Sequence, residues 1–133
     1  MLHLVDPWVF ADGEVKISQE EMDLLYESVV KRFAPETESG QVVIHRKFSH
    51  EIANLFGDNS LDWVYIDGDH SYEVVKEDLE LASKMVKHGG IISGDDYSRY
   101  GWPGIKRAVD EFARKPNIHI DQIKQKQYIL RKK

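Results

Sequence analysis

The sequence contains no cysteine, which excludes a disulfide framework and a thiolate zinc centre. Prolines number four in 133 residues, and no stretch is biased enough in composition to read as a linker or low-complexity segment. Long apolar runs are also missing. The strongest, Trp63-Val64-Tyr65-Ile66, falls far short of the roughly 20 residues that cross a bilayer. The opening Met1-Leu2-His3-Leu4-Val5-Asp6 lacks a basic region and a long apolar stretch, so no signal peptide, no membrane partner and a cytoplasmic location are expected. Positive charge is in deficit, with 18 Lys and Arg against 23 Asp and Glu and a net charge of −5, which argues against nucleic acid as the main partner. The short basic end, Arg131-Lys132-Lys133, reads as a solubilising tail.

What is present suits one folded domain over residues 1–133. Hydrophobic residues make up 41% and charged residues 31%, ordinary proportions in a chain long enough to bury a core. Leu2 to Val5 reads as a strand that stops at Asp6-Pro7-Trp8. Ser18 and Glu21 form a capping box. It opens a helix with Met22, Leu25, Val29 and Phe33 on its apolar stripe, which Pro35 ends before a polar turn at 36–40. Gln41 to His45 is strand-like, and His50 to Phe56 a short helical stretch closed by Gly57. Asp62 to Ile66 is a continuous apolar strand, expected to be buried on both faces. A helix from Tyr72 to Lys87 presents Val75, Leu79, Ala82 and Val86, with Gly89-Gly90 as its stop. Ile91-Ile92-Ser93 is another strand, and a last helix shows Ile105, Ala108, Val109 and Phe112. Residues 117–123 and 127–131 then form an antiparallel hairpin.

Strands alternating with helices predict a mainly parallel sheet with helices on its faces. Right-handed crossovers put the strands' carboxyl ends on one edge, where open α/β sheets bind ligands. Three strands end in acid there: Asp6, Asp67 and the pair Asp95-Asp96. A single Asp in such a place commonly caps a helix or makes a turn. Their convergence on one edge is what points to function. Asp67, Asp95 and Asp96 supply hard oxygen ligands suited to a cation such as Mg2+. His70, three residues after Asp67, suits proton abstraction from a substrate hydroxyl near neutral pH. The Asp6 carboxylate suits acceptance of hydrogen bonds from ribose hydroxyls.

The segment Leu61-Asp-Trp-Val-Tyr-Ile-Asp-Gly-Asp-His-Ser-Tyr72, followed by a helix and then Lys87-His-Gly-Gly-Ile-Ile-Ser-Gly-Asp-Asp-Tyr97, resembles class I S-adenosylmethionine-dependent methyltransferases. The likeness is to the branch of sugar O-methyltransferases and small methyltransferases with an Asp-Gly-Asp-His motif. Leu2 to Trp8 resembles that family's second strand, and the terminal hairpin its last two strands. The resemblance implies a Rossmann-like fold and O-methyl transfer from S-adenosylmethionine to a small-molecule acceptor. It implies Asp6 on the cofactor's ribose, Phe48 and Ser49 near the adenine, and Asp67 at the cofactor. It further implies a divalent cation on Asp67, Asp95 and Asp96, and His70 as general base.

The chain departs from the family pattern in two ways. The loop Arg46-Lys47-Phe48-Ser49 carries no acid, and the family's first strand with its glycine-rich turn has no counterpart in the sequence. The missing neighbour is expected to leave apolar strand edges at 2–5 and 63–66, closed by self-association into a homo-oligomer or by direct pairing of those strands, with weak or absent cofactor affinity. The rival expectation is a non-catalytic, truncated methyltransferase-like domain with a degenerate pocket. A phosphatase-like metal domain is disfavoured because no Asp-x-Asp motif follows the first strand.

Overall fold

A computed structural model describes residues 1–9 and 17–133, which form two compact units, Met1–Glu51 and Ile52–Lys133. The architecture is α/β, with parallel strand pairs, packed helices and a C-terminal antiparallel hairpin. Among the described residues no helix is long and apolar enough to cross a membrane.

In the first unit, strand β1 (Leu2–Asp6) pairs in parallel with β2 (Val42–Arg46), in a register running from Leu2↔Val42 to Asp6↔Arg46. Helix α1 (Gln19–Arg32) opens with the expected capping box. Ser18 N–H donates to Glu21 Oε2 at 2.8 Å, and Glu21 N–H donates back to Ser18 Oγ at 3.2 Å. Pro35 does not introduce a turn. It sits in the first turn of a short second helix, α2 (Ala34–Glu38), where its missing N–H has no helical partner to lose. On the expected stripe of α1, Leu25 lies exposed, and no residue of the helix is fully buried. Tyr26 makes the specific contacts, packing on Trp8 with ring centroids 5.0 Å apart and lying under Arg46 at 4.7 Å. Within the two strands, His3 Nδ1 and His45 Nε2 stand 2.9 Å apart with stacked rings. After a 3₁₀ turn at Ser49–Ile52, residues 53–56 make turns rather than the expected helix.

The second unit is a four-stranded sheet in the order β3-β4-β6-β5. Strand β3 (Leu61–Ile66) pairs in parallel with β4 (Val86–Gly94); β6 (Gln127–Lys132) runs antiparallel to both β4 and β5 (Ile118–Lys124). Gln125 and Lys126, both at positive φ, make the two-residue turn that matches the twist of a hairpin. Helices α3 (Tyr72–Met85) and α4 (Pro103–Phe112) bury the predicted faces, Val75, Leu79 and Ala82 from one and Ile105, Ala108, Val109 and Phe112 from the other. These join Val86, Ile92, Ile118, Tyr128 and Leu130 in one core.

Three expectations are corrected here. Helix α3 stops at Met85, because buried, β-branched Val86 turns to extended backbone and pairs with Leu61. Gly89-Gly90 is therefore no helix stop. It belongs to a four-residue excursion, Lys87–Gly90, between the Leu61↔Val86 and Trp63↔Ile91 pairings. Strand β3 is not buried on both faces: Trp63 is 53% and Tyr65 42% exposed, since β4 is its one ladder partner among the described residues. A continuous apolar run cannot distinguish a central strand from such an edge.

The third correction is the basic end. Arg131 binds Asp121 at 2.7 Å and the carbonyl of Gly89 at 2.8 Å, and Lys132 is buried. The Lys132 ammonium donates to Asn59 Oδ1 (2.7 Å) and to the carbonyls of Ser83 (2.8 Å) and Val86 (2.9 Å), so it caps the C-terminal end of α3. The end of the chain is a structural clamp, not a solvated tail.

Two outcomes follow. Lys132→Met keeps the apolar stem but leaves three acceptors without their donor, and is expected to lower stability by about 1–3 kcal/mol in denaturant unfolding. A solvated tail would give no change. In the first unit, burial, then the neighbouring charge of His45 and of the N-terminus, hold the His3 pKa below its usual 6.5. The unfolded chain therefore binds a proton more readily than the folded one. The stabilisation is complete above 6.5 and is lost as pH falls through the folded value. Amide-exchange protection in β1 and β2 is expected to fall on acidification below 6.5, and His3→Asn to flatten that dependence.

Candidate functional site

The register of the second unit's parallel pair builds the site. Ile66 pairs with Gly94, so the next residues, Asp67 and Asp95, leave neighbouring strand ends together. The Asp95 N–H donates to the Ile66 carbonyl at 3.3 Å, extending the pairing past the last strand residue. Gly94 is required by the close approach behind it. A Cβ there would stand 2.4 Å from Tyr128 Oη and 2.5 Å from the Ile66 carbonyl oxygen. Asp96 adopts left-handed backbone (φ 57°), which turns its carboxylate back toward the loop after β3. There Asp96 Oδ2 lies 3.2 Å from His70 Nε2, with both side chains about 30% exposed (31% and 28%).

His70 is held from its other side by Trp102, whose ring stacks on it with centroids 4.1 Å apart and planes 16° from parallel. Trp102 is the residue before α4, and Gly104 lets that helix start approach closely. A Cβ on Gly104 would lie 2.9 Å from the His70 carbonyl oxygen and 2.9 Å from the Tyr72 nitrogen. Tyr97, next after Asp96, anchors the second loop. Its N–H donates to the Lys126 carbonyl (2.7 Å) and its hydroxyl donates to Asp110 Oδ1 (2.6 Å). Asp69 makes a turn: its Oδ1 accepts from Ser71 N–H at 2.6 Å, and hydrogen bonds from the Ser71 side chain and backbone lower its pKa.

Asp67, His70, Asp95 and Asp96 thus line one pocket, with Ile66, Val75, Ile105 and Tyr128 behind them. The pocket's free volume of about 10 Å³ takes roughly one water molecule. Burial, then the nearby Asp78, Tyr65 and Asp67, push the Tyr128 phenol far above its ordinary pKa, so it stays protonated. Tyr65 is raised in the same way by burial and by Asp95 and Asp67.

Sequence reasoning placed the acids and His70 but missed Trp102 and Tyr128. Neither the place of Trp102 just before α4 nor the hairpin position of Tyr128 carries a local signal for the pocket. The proposed cation set also needs correcting. Among the described residues no three His, Asp or Glu side chains are grouped so as to hold a metal ion. Asp95 Oδ1 accepts the Asp96 N–H at 2.8 Å, and Asp96 Oδ2 faces His70.

The first unit gathers the other predicted residues. Asp6 ends β1 beside Arg46, the end of β2, and Lys47 N–H donates to the Asp6 carbonyl at 3.1 Å. Asp6 Oδ1 accepts the Trp8 N–H at 2.6 Å. Phe48 stands 45% exposed, stacked on His50 with centroids 5.5 Å apart, and Ser49 opens the 3₁₀ turn. Just beyond residues 46–49, Glu51 Oε2 accepts the Phe48 N–H at 2.8 Å.

Comparison with known proteins agrees with this architecture. The O-methyltransferase TomG from Streptomyces achromogenes, solved with S-adenosylmethionine, superposes with a TM-score of 0.66 at 15% identity over 96% of this chain and 59% of its own. An O-methyltransferase from Bacillus cereus, solved with S-adenosylhomocysteine, gives 0.63 at 17% identity over 99% of this chain and 74% of its own. An uncharacterised protein of Acanthamoeba polyphaga mimivirus is 44% identical over 54 residues, 40% of this chain and 24% of that protein. The chain thus spans about three-fifths of the TomG structure and about a quarter of the viral protein. The model of the methyltransferase domain matches residues 2–97, and the chain belongs to that family, the class I S-adenosylmethionine-dependent methyltransferases.

Proposed function

We propose that this chain carries O-methyl transfer from S-adenosylmethionine to a small-molecule hydroxyl, with His70 as general base. The observation that carries the reading is the His70–Asp96 contact, braced by Trp102, at the carboxyl ends of a parallel strand pair. The first unit's residues suit a nucleoside. Asp6 offers a carboxylate at a strand end, and Phe48 an exposed ring face with Ser49 beside it. Asp6 would take ribose hydroxyls, and Phe48 and Ser49 the adenine. When bound, S-adenosylmethionine supplies an electrophilic methyl group on a positively charged sulfur.

The protein's part is orientation and proton removal. His70 takes the acceptor's hydroxyl proton as that oxygen gains the methyl group. The Asp96 carboxylate stabilises the imidazolium so formed, and the Trp102 ring fixes the imidazole plane. Tyr128, kept protonated, stays available as a donor at the pocket floor.

His70→Ala is expected to cut methyl transfer to hydroxyl-bearing acceptors by roughly 10²–10⁴-fold. Its S-adenosylmethionine affinity, measured by calorimetry with and without magnesium, should match that of the parent. Asp6→Ala should show the opposite pattern, with weakened cofactor binding. Undetectable cofactor binding by the parent chain would overturn the proposal in favour of a non-catalytic domain.

A further inference from the structure

A second groove lies along α4, with a volume of about 260 Å³, lined by Arg99, Pro103, Lys106, Arg107, Asp110, Glu111 and Arg114. Its charges do not cancel. Asp110 pairs with Lys106 (2.5 Å) and also accepts the Tyr97 hydroxyl. Glu111 pairs with Arg107 (3.0 Å) and accepts the Tyr72 hydroxyl at 2.5 Å. Each carboxylate is thus matched by one cation and one phenol. Among the described residues, the guanidiniums of Arg99 and Arg114 have no salt-bridge or hydrogen-bond partner, and Arg114 acts on Asp110 only through space. The groove therefore keeps two uncompensated positive charges in a chain of net charge −5.

We infer that this groove binds the phosphoryl or pyrophosphoryl group of a small-molecule acceptor. The inference rests on the proposed methyl-transfer function and adds the acceptor's class to it. Guanidinium groups match phosphate oxygens in pairs, and two unpaired ones suit a group with at least two negative charges. The volume lies below the roughly 300–1,000 Å³ of a whole ligand site, which fits a charged end group with the rest of the molecule outside. The groove also starts beside the chemistry. Pro103 follows Trp102, whose ring stacks on His70. At about 1.5 Å of rise per residue, Arg107 stands only some 6 Å along the helix from Pro103. Of the two uncompensated guanidiniums, that of Arg99, three residues before Trp102, belongs to the end of the groove nearer His70 in the chain. Asp110 and Glu111 in the wall oppose a continuous phosphate backbone, which favours a small molecule over a nucleic acid.

The test is an NMR titration of the intact chain with inorganic pyrophosphate, following the arginine Nε–Hε resonances. Saturable shifts confined to Arg99, Arg107 and Arg114 are expected, with binding about tenfold weaker in Arg99→Gln and in Arg114→Gln and lost in the double variant. Both side chains are exposed, so the variants should keep the parent's melting temperature, and the titration of the parent is decisive by itself. Non-saturating shifts, or equal shifts at every arginine, would overturn the site. A single-stranded RNA oligonucleotide that binds more tightly than pyrophosphate and depends on the same two arginines would overturn it in favour of nucleic acid. The titration reads no methyl transfer, so the two readings fail separately. Anion binding without cofactor binding removes the enzymatic reading, and methyl transfer without anion binding removes the groove.

Discussion

The parallel pairing of β3 with β4, ending at Ile66↔Gly94, is the constraint on which the candidate active site depends. It places two acidic loops side by side, and it holds only because Gly94 has no side chain to collide with Tyr128 and the Ile66 carbonyl. Tyr128 is fully packed in the core and also backs the pocket. The same contact therefore joins sheet, hairpin and site, and a larger residue at Gly94 would disturb all three.

From that edge, His70 is positioned by groups on two other elements. Asp96 reaches it from the end of β4, and Trp102 covers it from the start of α4. Gly104 permits the second contact, while Tyr97, Asp110 and Lys106 tie the Asp96 loop to the same helix. One helix thus fixes both sides of the imidazole. Its opposite face carries the buried core residues Ile105, Ala108, Val109 and Phe112. Its polar face presents the basic groove, so substrate binding there would act on the element that orients His70.

The corrected elements share a cause. Val86 leaves the helix, β3 becomes an edge and Lys132 becomes a buried clamp because each is decided by a partner distant in sequence: Leu61, β4, and the residues Asn59 and Ser83. Local pattern carries no information about such partners. An apolar run looks alike at the edge and the centre of a sheet, and a terminal lysine looks solvated until a helix end is brought against it.

The sequence by itself determined what depends on local spacing. Ser18 and Glu21 specify the capping box, the periodicities of α3 and α4 specify the core faces, and the turn before Gln127 specifies the hairpin. The two Asp-bearing loops and the family follow from motifs a few residues long. Tertiary structure alone decided that Trp102 stacks on His70, that Tyr128 closes the pocket, and that Asp67, Asp95 and Asp96 share a pocket without forming a cation site. It also decided that, among the described residues, Arg99 and Arg114 remain uncompensated beside paired neighbours. These are properties of distance and direction between side chains on different elements, and a linear spacing encodes neither.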